Sequence, residues 1–66
     1  MFAKRLKDAR KEKNLRLKDV ALYVNVTERA ICNYESGIRE PDFATLKKLC
    51  DLLDVTADYL IGRTDY

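Results

Sequence analysis

Between Leu15 and Gly37 the chain reads LRLKDVALYVNVTERAICNYESG, two short helical patterns joined by one tight corner, and no other stretch limits the fold as strongly. Leu17, Val20, Ala21 and Val24 recur at the three- and four-residue spacing of a buried helix face, with Lys18 and Asp19 off that face. The corner is Asn25-Val26-Thr27. Asn tolerates a left-handed backbone just past a helix end, Val26 can plug the angle between two helices, and Thr27 can cap the next helix through its hydroxyl. The second pattern begins at Glu28, turns Ala30, Ile31 and Tyr34 inward, and stops at Ser36-Gly37, where Gly takes the positive φ that ends a helix. Glu28, Arg29, Cys32 and Asn33 then share an outward stripe that the core does not need. A helix with exposed polar side chains of this kind fits the major groove of DNA.

The flanking sequence supplies the scaffold. A first helix is expected over residues 2–13, with Phe2, Leu6 and Ala9 inward, Arg10 on the border of that face, and Asn14 ending it. A cation beside a core face needs a partner, and Glu35 is the best placed; a snorkelling Arg10 is the alternative. After the Ile38-Arg39-Glu40-Pro41 loop, Asp42 caps a fourth helix whose buried stripe reads Phe43, Leu46, Leu49, Cys50 and Leu53. Asp54-Val55-Thr56 repeats the corner logic, with Thr56 capping a short last helix through Ile61 and Gly62 ending it. Residues 1–62 thus form one domain, and 63–66 a tail or the start of a linker.

Sixty-six residues leave little room for an enzyme pocket. The chain has no His, no paired-Cys metal spacing, no Gly-rich phosphate loop and no nucleophile elbow, so no metal, cofactor or small-molecule ligand is expected. No apolar run reaches a membrane span and the N-terminus lacks a signal peptide's apolar core, which predicts a cytoplasmic protein with Cys32 and Cys50 as thiols. Charge is unevenly spread. Residues 1–18 hold eight Lys or Arg against two acids, giving +6, whereas residues 19–66 hold five against nine, giving −4. The basic end is the candidate for facing nucleic acid, with a merely solvated helix surface as the plainer reading.

Leu15, Val20-Ala21, Val24, Val26-Thr27, Ile31, Tyr34-Glu35 and Gly37, followed by Pro41, Leu46, Leu49, Leu53 and Val55, together resemble the helix-turn-helix of the Cro/CI-type repressors of bacteria and phage. The likeness runs from about Leu6 to Leu60. It implies an all-α, compact five-helix, lambda-repressor-like domain with the helix-turn-helix at helices two and three. It also implies a double-stranded DNA partner, an Arg10–Glu35 pair tying helix one to the recognition helix, and a homodimer on an inverted repeat joined through Ile38, Phe43, Val55 and Tyr59.

On this reading Thr27, Glu28, Arg29, Cys32 and Asn33 reach bases. Arg29 has the fork that matches guanine and Asn33 the amide that matches adenine. Glu28 accepts from cytosine, orients an Arg, or only favours the helix dipole. Cys32 touches a thymine methyl or acts as an oxidisable thiol. Arg10, Arg16, Leu17, Lys18, Ser36 and Arg39 are expected at phosphates, with the first amides of helix two as an anion site. Two departures from the resembled pattern stand out. Arg16 and Leu17 occupy positions commonly held by a Ser or Thr cap and a phosphate-holding Gln, which predicts a weaker start to helix two. Leu22 and Tyr23 replace polar residues, and Tyr59, Ile61 and Tyr66 add apolar surface near the C-terminus. Scattered exposed apolar side chains are ordinary; the sharper reading is a partner surface and a protein-interaction module of antitoxin or anti-repressor type.

Overall fold

The computed structural model describes residues 1–65, so the expectation for Tyr66 lies outside the described residues. Five helices follow one another: α1 (Phe2–Glu12), α2 (Leu17–Val24), α3 (Glu28–Ser36), α4 (Phe43–Leu53) and α5 (Ala57–Leu60). Among the described residues there is no strand, as the helical periodicities predict. No helix there is long and apolar enough to cross a membrane.

All five helices end in the same way. Asn14, Asn25, Gly37, Asp54 and Gly62 each take a positive φ just past a helix. In each case the next residue sends its N–H back to a carbonyl five positions earlier: Leu15 to Arg10, Val26 to Ala21, Ile38 to Asn33, Val55 to Cys50 and Arg63 to Asp58. This satisfies carbonyls that a helix end otherwise leaves bare. The two Asx-Val-Thr corners match in detail. The Thr27 hydroxyl oxygen accepts from the Ala30 N–H at 3.1 Å, and that of Thr56 from the Tyr59 N–H at 3.0 Å.

Each helix contributes apolar residues to one core: Leu6 and Ala9 from α1, Val20, Ala21 and Val24 from α2, Ile31 and Tyr34 from α3, Leu49 and Leu53 from α4, and Leu60 from α5. α3 packs on α1 and α2, α2 also packs on α4, and α5 bridges α1 and α4. Ala30, Leu46 and Cys50 are half-buried against this core, where desolvation raises the Cys50 thiol above its ordinary value. Cys32 and Cys50 are free thiols.

Three expectations change. Phe43 is not part of the buried stripe of α4; it stands in the first turn and is 90% exposed, at the rim of a hollow shared with Phe2, Leu46 and Ile61. The last helix stops at Leu60, leaving Ile61 half in solvent, and α1 stops at Glu12. One staple was not foreseen. The Arg5 guanidinium lies 4.6 Å from the centre of the Tyr59 ring and donates to the Tyr59 carbonyl at 2.7 Å and to the Thr64 carbonyl, fastening α5 and the expected tail to α1.

Candidate nucleic-acid interface

α3 owes its orientation to contacts on its inner side. Ile31 is fully buried and Tyr34 nearly so, which rotates the opposite face outward. A second restraint acts at its C-terminal end. Arg10 donates from Nε to Glu35 Oε2 at 2.6 Å, from Nη2 to Glu35 Oε1 at 3.1 Å and from Nη1 to the Leu15 carbonyl at 2.9 Å. The two side chains are only 12% and 8% exposed. The carboxylate raises the Arg10 pKa further, so the cation persists at any working pH. One guanidinium thus links α1, the loop before α2, and α3. The pair expected of this side chain is present, and the phosphate contact also expected of it is left to the 12% of the side chain that stays exposed.

Outside, Thr27, Glu28, Arg29 and Cys32 are exposed and Asn33 is half-buried, on consecutive turns of α3. Among the described residues Arg29 takes part in no ion pair, so its fork is unengaged. Thr27 has its oxygen committed to the cap but keeps its hydroxyl hydrogen to donate. Glu28 stands in the first turn, where the helix dipole favours a carboxylate.

The residues expected at phosphates divide. Lys18 and Arg39 are exposed cations flanking the helix pair. Leu17 opens α2 and is half-buried, and its backbone N–H is one of the first-turn amides that no helical carbonyl reaches. Ser36 is exposed, but its hydroxyl donates to the Cys32 carbonyl at 2.7 Å, which turns lone pairs, not a hydrogen, toward solvent.

Arg16 holds a further surprise. It cannot accept a hydrogen bond, so the start of α2 was expected to be weak. Instead Asp19 does the capping: its Oδ2 accepts the Arg16 backbone N–H at 2.9 Å, and the carboxylate takes Nε and Nη2 of the same residue, each at 3.2 Å. That ion pair, with the backbone hydrogen bond second, holds the Asp19 carboxyl below the usual range. The signal was in the sequence as an acid three residues after the cap.

The four residues expected at a dimer contact do not border one hollow. Phe43 lines a largely apolar one with Met1, Phe2, Glu40, Pro41, Leu46 and Ile61, whereas Val55 and Tyr59 line another with Glu12, Asp54 and Thr56. Ile38 differs from the other apolar residues that follow a helix end. Leu15, Val26 and Val55 are packed against the core, but Ile38 is 73% exposed.

Comparison with known proteins agrees with this architecture. The helix-turn-helix family profile matches residues 6–60. The uncharacterized HTH-type transcriptional regulator YqaE of Bacillus subtilis (strain 168) is 43% identical over 61 residues, covering 92% of this chain and 53% of YqaE. The HTH-type transcriptional regulator ImmR of the same organism is 40% identical over 64 residues, covering 97% of this chain and 50% of ImmR. The chain therefore spans about half the length of these relatives. Among solved structures, the P22 c2 repressor in complex with synthetic operator 9T superposes with a TM-score of 0.88 at 28% identity, covering 91% of each chain. The master regulator for biofilm formation SinR in complex with DNA gives 0.83 at 29% identity, covering 92% of this chain and 98% of that one. Matched stretch, relatives and superposed structures coincide on the two helices around Val26, and the chain belongs to the helix-turn-helix family of Cro/CI type.

Proposed function

We propose that these residues form the double-stranded DNA-binding domain of a transcriptional repressor, with α3 in the major groove and α2 lying across the backbone. The observation that carries this reading is the outer face of α3: Glu28, Arg29 and Cys32 are exposed while Ile31 and Tyr34, on the same helix, are buried. The two superposed repressor and regulator structures were solved with DNA, which supports it. The family is one of transcriptional regulators, and the enzyme class has no support in it.

In this arrangement Arg29 donates to guanine O6 and N7, Asn33 pairs with adenine N6 and N7, and Thr27, Glu28 and Cys32 contribute nearer the groove walls. Lys18, Arg39 and the first amides of α2 sit at phosphates and set the register. Two copies occupy half-sites about 10 base pairs apart on an inverted repeat. Exposed Ile38 and Phe43 support a contact between copies, and Val55 and Tyr59, half-buried at a separate hollow, would extend it.

Fluorescence anisotropy with a labelled duplex tests the reading. The logarithm of the affinity should fall with the logarithm of salt by about 0.9 for each phosphate neutralised. An affinity unmoved between low and moderate salt would contradict it. Such a result would favour a second reading as a protein-binding module, for which the neighbouring side chains Leu22 and Tyr23, 85% and 55% exposed on α2, are the surface.

A further inference from the structure

Arg16 stands where α2 begins, on the strand-crossing side of the proposed DNA complex, yet its guanidinium is already held. Asp19 engages it through Nε and Nη2 at 3.2 Å each, and the same carboxylate accepts the Arg16 N–H at 2.9 Å. The pair is on the surface, with Arg16 70% and Asp19 34% exposed, so the cation is reachable from solvent. Glu28, at the start of α3, adds a second negative charge close enough to stabilise Arg16.

A phosphate arriving at this corner wants what Asp19 already has: the guanidinium fork and amide hydrogens at a helix start. From this we infer that Asp19 competes with the DNA backbone for Arg16, so that Arg16 must leave the carboxylate before it meets a phosphate. Asp19 is then a residue that restrains affinity, most of all the sequence-independent part that rests on phosphate contacts alone. It also keeps the Arg16 side chain folded over the end of α2 in the free protein, ready to move a short distance.

The inference rests on the DNA-binding reading, and three variants separate the two. Asp19→Asn keeps an oxygen to accept the Arg16 N–H but removes the charge, so α2 still starts at the same place. For a random-sequence duplex this variant should bind roughly two- to fivefold tighter than wild type, the range an exposed ion pair supports. Arg16→Ala should bind more weakly and lower the salt slope by about 0.9, one phosphate's worth. Combining the two should abolish the gain, leaving the double variant no tighter than Arg16→Ala. If Asp19→Asn tightens binding equally in both backgrounds, the carboxylate acts by general repulsion and the competition is disproved. If Arg16→Ala leaves the salt slope unchanged, Arg16 never reaches a phosphate and the inference fails, although Arg29 can still read bases. Circular dichroism of each variant checks that α2, whose start Asp19 caps, remains folded; should Asp19→Asn lose helix, Asp19→Gln, a neutral residue that also serves at this capping position, takes its place in the same comparison and must show the same gain, or the competition is disproved. No salt-dependent binding in the wild type would overturn the underlying reading itself.

Discussion

Arg10 shows how a position on the border of a helix face dictates a partner. Its position on the border of the α1 face demanded a partner, and Glu35 supplies it at 2.6 Å. Three of its five N–H groups are committed to Glu35 and to the Leu15 carbonyl, and the side chain keeps 12% exposure. Arg10→Ala should destabilise the domain by about 3 to 5 kcal/mol in urea unfolding, since it strands a buried carboxylate; a cost under about 1 kcal/mol would mean that the pair is effectively solvated. The stripe on α3 was legible residue by residue, for a 3.6-residue period leaves little freedom once Ile31 and Tyr34 are known to point inward. Asp19 and Arg5 were not read that way. The Asp19 contact is a local capping pattern that hydrophobic periodicity does not register, and Arg5 reaches a ring and carbonyls more than fifty residues away.

At the scale of elements, the shared helix ending does most to define the fold. Gly37 has φ +80, and a Cβ there would meet the Ala3 Cβ at 3.9 Å, an ordinary contact. The cost of Gly37→Ala is therefore backbone strain without a clash, about 1 kcal/mol, and should appear as a lower unfolding midpoint with α3 still packed. Thr27→Ala removes the cap of α3 and should cost about 1 kcal/mol, whereas Thr27→Ser should cost much less. Acid tests the other caps. The Thr45 N–H holds Asp42 below the usual carboxylate range, as the Arg16 pair does Asp19. A carboxyl whose folded pKa is depressed stabilises above its unfolded value of about 3.9, and that contribution is lost as pH falls through the lower folded value. Thermal midpoints should thus be level from about pH 7 to 5 and drop below about 4, and Asp42→Asn should flatten part of that fall. Phe43 shows where element logic stops. It continues the apolar spacing of α4 yet stays 90% exposed in the first turn, so its environment is set by tertiary packing and not by period.

For the molecule as a whole, α1 and α4 hold the α2–α3 pair so that α3 presents one polar face, and the proposed function rests on that face being a reader. The five-helix order was legible because caps and left-handed residues punctuate the chain. How two copies meet was not, since an interface leaves no period in the sequence and Ile38 and Phe43 reveal themselves only as exposed apolar side chains. Phe43→Ala should leave the unfolding midpoint of the single domain nearly unchanged while reducing cooperative occupancy of paired half-sites, measured by band shift on one- and two-site duplexes. The most direct test is selection of bound duplexes from a random pool by the wild type and by an Arg29→Ala/Asn33→Ala variant of equal stability. The wild type should return a defined half-site, and the variant should lose preference at the positions these two side chains read, worth about 1 to 3 kcal/mol each. Recovery of an identical site by both proteins would contradict the account.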